Sequence, residues 1–208
     1  MTRPLAVLRP DPGNAATAAR IEALGHGALR LPLFVIRPVA WTAPNPTSYD
    51  SLVLSSANAV RMAGPDLARL GALPVHAVGR ATALAAQAAG FTVVAVGEGG
   101  VDALDPPGRV LRLVGRDHRP APAASTITVY ASEGLTPDLS GLIDATALLH
   151  SPRAAARLAE QLADKSRVAI AAISPAALAA AGPGWRATAV ADRPTDDALI
   201  AAALTLAD

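Results

Sequence analysis

The chain has 208 residues, of which 51% are apolar and 17% charged, enough for one large packed domain or two small ones. The net charge of +1 gives no case for a nucleic-acid or membrane partner, and the absence of cysteine excludes disulfides, thiolate catalysis and thiolate metal sites. Aromatic residues are only 3% of the chain, so any core must be built from Ala, Leu and Val in tight helix-on-sheet layers.

Residues 5–8 form a short apolar run, a candidate buried strand. The run is too short for a signal peptide, so the expected location is the cytoplasm. Residues 14–24 carry Ala and larger apolar side chains at helical spacing, and Gly25 ends that helix. Residues 29–36 are strand-like but interrupted by Pro32, and 41–48 form a proline-punctuated loop. There follow a strand at 51–54, a helix at 57–70, a strand at 75–78, a helix at 81–89 and a strand at 92–96. Residues 97–108 are polar and turn-rich, and 110–114 are a strand. Pro120 and Pro122 argue against a helix in 116–125, while 126–130 alternate as a strand. A second series comprises a strand at 147–149, a helix at 152–163, a strand at 168–172, a helix at 175–181 and a strand at 187–190. The last helix starts behind Thr195, an N-cap residue, and runs to about 206.

The two series are versions of each other at an offset of about 94 residues (75 against 169). Leu52 to Val60, with Ser55-Ser56-Ala57-Asn58 at its centre, returns as Ala147 to Ala155 with His150-Ser151-Pro152. Val75 to Leu84 returns as Ala169 to Leu178, and Gly90-Phe91 falls on Gly184-Trp185. A period this long means two domains of one fold rather than a solenoid. Strands alternating with helices of about ten residues call for parallel sheets covered on both faces. The first strand and helix have no repeat partner, so the economical arrangement is an insertion. The expected fold is α/β: two similar flavodoxin-like parallel-sheet domains joined by a two-stranded β connector, the second inserted in the first. Residues 1–34 plus 129–208 form the discontinuous first domain and 35–128 the inserted one, with the substrate cleft between them.

In such sheets ligands bind beyond the carboxyl ends of the strands. Four strand ends here lead straight into helix starts: Ser55-Ser56, Gly79-Arg80, Ser151-Pro152 and Ser174-Pro175. Taken singly, each serine is a helix cap. Together, the helix starts offer backbone N–H groups and partial positive charge suited to an acidic small molecule. Seventeen of the 18 basic residues are arginine, whose planar fork fits carboxylates, although compositional bias explains the same count. His26, His76, His118 and His150 are scattered without metal-ligand spacing, and no metal is expected. Gly97-Glu98-Gly99-Gly100 does not make a dinucleotide or phosphate loop, and no cofactor is expected. Asp196 and Asp197 read as first-turn charges favoured by the helix dipole.

These residues together resemble the uroporphyrinogen-III synthase family. The likeness runs in order through Val7-Leu8-Arg9-Pro10, Pro32-Leu33, Leu54 to Val60, Ala77 to Ala83 with Gly90, Val129-Tyr130, His150-Ser151-Pro152 and Ala172-Ile173-Ser174. It implies a cofactor-independent lyase that cyclises hydroxymethylbilane, a linear tetrapyrrole with eight carboxylates, inverting ring D and losing water. The chain is expected to be a cytoplasmic monomer acting on this small molecule without nucleic acid or membrane, since its charge and apolar runs point to neither and nothing in the sequence points to an oligomer. Tyr130 matches the family's cleft-facing tyrosine, which the resemblance implies acts either as a general acid for the departing hydroxyl or by positioning the substrate alone. Arg9, Ser55, Ser56, Asn58, Arg80, Thr82, Arg119, Ser151 and Ser174 are the expected substrate-binding residues. Two departures stand out: the segment before Tyr130 is short where relatives have a helix, and Ala176-Ala177 replace a frequent threonine. The alternative readings are a degenerate non-catalytic paralogue or a two-domain binding protein for an acidic small molecule.

Overall fold

The computed structural model describes residues 3–97, 104–121 and 123–207; the expected glycine turn at Glu98-Gly99-Gly100 and Pro122 lie outside them. The chain divides into two compact units, one of Met1–Val35 with Gly134–Asp208 and one of Ile36–Glu133.

The first unit holds strands β1 (Leu5–Val7) and β2 (Ala28–Arg30), joined by helix α1 (Gly13–Ala23). After the second unit, the chain returns with β9 (Thr146–Leu149), α4 (Pro152–Gln161), β10 (Ala169–Ala172), α5 (Pro175–Ala181), β11 (Ala187–Val190) and α6 (Asp196–Leu204). The sheet order is β2-β1-β9-β10-β11 and every pairing is parallel. Taken in chain order this is 2-1-3-4-5, the flavodoxin-like order. Its strands are apolar on both faces because both are covered. Ala6, Leu8, Ala147, Leu149, Ile170 and Ala172 pack with α4 and α5. Leu5, Val7, Leu148 and Ala171 pack with α1 and α6 on the other side. Side chains alternate across a strand, so neighbouring residues serve opposite layers.

The second unit holds β4 (Ser51–Leu54), α2 (Ala57–Met62), β5 (Val75–Val78), α3 (Arg80–Ala88), β6 (Val93–Gly97), β7 (Val110–Gly115) and β8 (Ala124–Gly134). Strand β3 (Phe34–Pro38) completes the order β3-β8-β7-β4-β5-β6. From β8 through to β6 all pairings are parallel. Placed beside the first sheet, β8-β7-β4-β5-β6 matches β2-β1-β9-β10-β11 position for position. It is the same sheet entered at a different strand, which is why the repeat aligns β4, β5 and β6 with β9, β10 and β11. One face is the core, where Leu52, Leu54, Val75, Ala77, Leu111 and Leu113 pack against α2 and α3. On the opposite face the described residues carry no helix, where the first unit has α1 and α6.

The chain passes between units at Val35–Ile36 and Glu133–Gly134, within β3 and β8. These strands are hydrogen-bonded neighbours. Val39 N–H donates to the Val129 carbonyl and Leu135 N–H to the Leu33 carbonyl, so partner numbers run in opposite senses and the pair is antiparallel.

Three expected elements need correction. The helix over 57–70 stops at Met62: Gly64 adopts φ +69° and Pro65 follows it, so the continuation is a 3₁₀ stretch, Pro65–Leu70. The strand expected at 126–130 is eleven residues long, because its pairing passes from β7 along one side to β3 on the other. Pro32 divides the expected 29–36 strand into β2, which joins the first sheet, and β3, which joins the second.

Candidate active site

The point where chain order reverses in a parallel sheet leaves a gap between outgoing connections, and ligands bind at its carboxyl end. In the first unit this point lies between β1 and β9, and in the second between β4 and β7. The residues that follow these strands are Arg9-Pro10, His150-Ser151, Ser55-Ser56 and Arg116.

In the first unit, Asn14 fixes the turn after β1. Its buried side-chain amide donates to the carbonyls of Val7 (2.7 Å) and Arg9 (2.9 Å), and its oxygen accepts from Arg30 Nε (2.8 Å). The Arg9 guanidinium lies over Gly13, so a Cβ there would displace it. Asp196, in the first turn of α6, is the hub of this region. It accepts hydrogen bonds from Thr17 Oγ1 (2.9 Å), His150 Nε2 (2.8 Å) and Arg20 Nη1 (2.6 Å), with Arg9 Nη1 at 3.5 Å. Burial pushes its carboxyl pKa up, but the hydrogen bonds from His150 and Thr17 and the neighbouring charges outweigh that and hold it at about 2. A carboxylate acceptor places the His150 proton on Nε2; Nδ1 is buried without a partner.

Ser151 and Ser174 serve first as caps: each Oγ accepts the N–H three residues on, from Ala154 at 3.2 Å and Ala177 at 3.3 Å. Replacing Ser174 with Ala is expected to lower the unfolding free energy by about 1 kcal/mol, read from the urea midpoint.

In the second unit Ser56 Oγ accepts from Asn58 N–H (3.1 Å), and Asn58 Oδ1 accepts from Arg61 (3.4 Å). The Ser55 hydroxyl has no hydrogen bond among the described residues. Gly79 takes φ +77°, a conformation that suits glycine, and turns β5 into α3. Arg80 and Arg119 are exposed and form no ion pair among the described residues. Thr82 is buried in the first turn of α3, so a bulky residue there would test packing as well as ligand contact. Residues 116–121 carry no helix, in keeping with the proline content of the segment.

Tyr130 is paired with Gly115 across β7 and β8, just past an irregularity in the register. A Cβ on Gly115 would lie 2.6 Å from the Tyr130 Cζ and 2.9 Å from its hydroxyl, so the phenol rests directly on this glycine. Arg116 N–H donates to the Tyr130 carbonyl (2.9 Å). The half-buried ring packs on the core edge, and its hydroxyl has no hydrogen bond among the described residues. In register Leu54 faces Leu113 and Gly115 faces Tyr130, so Ser55-Ser56 after β4, Gly115 at the end of β7 and Tyr130 within β8 lie level with one another. Sequence alone singles out Tyr130, Arg9 and the serines. It passes over Gly115, Asn14 and the His150–Asp196 pair, whose partners are far apart in the chain.

The sheets and their strand ends define the class: a doubly wound α/β protein with cationic and hydroxyl side chains gathered at the carboxyl ends of parallel strands. No cluster of metal-ligating side chains occurs among the described residues, and none of their helices is long and apolar enough to cross a membrane. A family model for uroporphyrinogen-III synthase HemD matches residues 15–201. The chain belongs to the uroporphyrinogen-III synthase family, enzymes of tetrapyrrole and haem biosynthesis. Among solved structures it is similar to uroporphyrinogen-III synthetase from Helicobacter pylori, with a TM-score of 0.71, 17% identity, and coverage of 98% of this chain and 99% of that one. It is also similar to a mutant uroporphyrinogen III synthase from the extremely thermophilic bacterium Thermus thermophilus, with a TM-score of 0.50, 19% identity, and coverage of 94% and 96%. At these identities the structures speak for the fold, and membership rests on the family match. No curated protein matches the chain by sequence.

Proposed function

We propose that this chain is a cofactor-independent lyase that converts hydroxymethylbilane to uroporphyrinogen III, inverting ring D as it closes the macrocycle and releasing water. The observation that carries this reading is the family match over residues 15–201, to which the Tyr130 hydroxyl, without a hydrogen bond among the described residues and level with the end of β7, adds a proton donor. Departure of the substrate hydroxyl breaks a C–O bond and needs one proton to leave as water. Tyr130 supplies it as general acid, and ring closure restores the balance by releasing a proton from the pyrrole framework. Each unit offers residues suited to the substrate's carboxylates at the carboxyl ends of its own strands. On one these are Arg9, Ser151 and Ser174; on the other Ser55, Ser56, Asn58, Arg80 and Arg119. Such a reaction is governed mainly by how the chain is held, because the bilane closes unaided to the uninverted isomer.

The test is product analysis. Enzymatically made hydroxymethylbilane is supplied, the products are oxidised, and isomers I and III are separated. Isomer III in excess is expected. Isomer I alone at saturating protein overturns the synthase reading, and binding without turnover would leave a non-catalytic paralogue in its place.

A further inference from the structure

Arg112 stands in the middle of β7 with 3% of its surface exposed. Leu111 and Leu113 point into the core under α2 and α3, so Arg112 points to the opposite face of the sheet. Its register neighbours there are Val53 on β4 and Thr126 on β8, neither of them acidic. Nε and Nη1 are both buried without a hydrogen-bond partner, and Arg112 makes no ion pair among the described residues. A guanidinium stays charged at physiological pH and carries five donors in a rigid fork. Burying one without a partner is strongly unfavourable, so an arginine in this setting calls for an acceptor.

The same side chain lines a pocket of about 450 Å³, within the range of small-molecule sites. Its walls are mostly apolar and include Pro106, Val110, Pro120 and Ala124. Asp105, exposed, is the acidic residue of the lining. The pocket has a structural origin. In the first unit the connections after β1 and β11 are the helices α1 and α6, which cover this face of the sheet. In the second unit the described residues of the matching connections form no helix. The pocket lies toward the amino ends of β7 and β8, at Val110 and Ala124, whereas Gly115 ends β7 and Tyr130 faces it six residues further along β8. It is therefore separate from the strand-end face assigned to the substrate.

The geometry points to a second ligand site: this pocket binds a small organic monoanion whose carboxylate sits on the Arg112 fork and whose apolar body fills the Pro- and Ala-lined walls. Asp105 disfavours a second negative charge on the ligand. The apolar walls favour an aromatic or branched body over a bare inorganic ion.

Thermal unfolding of the whole protein with sodium benzoate, inorganic phosphate or sodium chloride at matched ionic strength tests this. In the native protein each tenfold rise in benzoate above saturation should raise the midpoint by about 3–5 °C, with a smaller rise for phosphate. Arg112→Met should lose the benzoate response while unfolding at a higher midpoint in chloride, because the unpaired charge is gone. Equal benzoate shifts in the native protein and Arg112→Met, or none in either, overturn the proposal. A phosphate response larger than that to benzoate overturns the apolar-body assignment. If Arg112→Met does not fold, amide NMR of the native protein decides: benzoate should shift Val110 and Ala124, and shifts confined to other residues refute the site.

Discussion

Replacing Asp196 with alanine is expected to cost about 3 kcal/mol of unfolding free energy and to lower the thermal midpoint by about 6–12 °C. Thr17 is fully buried and the His150 side chain nearly so, and both donate to this carboxylate. Removing the acceptor leaves two buried polar groups without a partner, which is dearer than losing a surface ion pair. The exposed Arg20 adds little, since water replaces its contact. Acid should reveal the same interaction. The folded-state pKa is lowered from 3.8 to about 2, so the folded state binds the proton less readily than the unfolded chain. The stabilisation is complete above pH 3.8 and is lost as pH falls through about 2, and it amounts to about 2 kcal/mol at neutral pH. Urea midpoints of the native protein and Asp196→Asn should differ at pH 6 and converge toward pH 2. A difference that persists unchanged at pH 2 would mean that packing, and not the charge, is what Asp196 contributes.

The cluster around Asp196 is not legible in the sequence, and the reason is physical. Thr17 lies 179 residues before Asp196 and His150 lies 46 before it. Neither spacing has a local signature; the contacts arise only because β1 and β9 become neighbours in a sheet that the chain leaves and re-enters. Asp196 does sit in a helix first turn as its position indicates, but the dipole is only one of its partners. Most strands, by contrast, announce themselves. Ala169 to Ala172 is an unbroken apolar run because helices cover its sheet on both sides, and Leu52 to Leu54 is an equally apolar, buried run. The uroporphyrinogen-III synthase resemblance rests on motif order, and the family match gives the same family.

Where local reading fails, a backbone feature or a change of partner is responsible. Residues 57–70 keep helical spacing of Ala59, Val60, Ala63, Leu67 and Leu70, and all five are buried, yet Gly64-Pro65 divides the helix. The apolar pattern reports which face meets the core and is silent on whether the backbone between is continuous. Arg112 shows the converse. Inside an apolar strand it carries no signal of its own: the turn-rich 97–108 and proline-bearing 116–125 segments read as non-helical, but nothing local ties them to the sheet face on which Arg112 lies.

Tyr130→Phe should slow formation of isomer III by about tenfold to a hundredfold in kcat, leave KM nearly unchanged, and leave the isomer ratio in favour of III. On the proposed mechanism the hydroxyl is the proton donor, while the folded path of the bilane is held by the rest of the site. Gly115→Ala should be at least as damaging, by about a hundredfold, although it removes no functional group. Its Cβ would lie 2.6 Å from the phenol carbon, and the backbone it grows from is held in the β7–β8 ladder, so the ring is what must move. A displaced phenol no longer meets the leaving hydroxyl. The two substitutions should therefore not add: with Tyr130→Phe already present, Gly115→Ala has no acid left to misplace, and its further effect should shrink to that of a shifted ring. Additive losses in the double variant would show that Gly115 acts on the substrate path directly. Complete loss of turnover in folded Tyr130→Phe would place proton donation ahead of shape as the source of the rate.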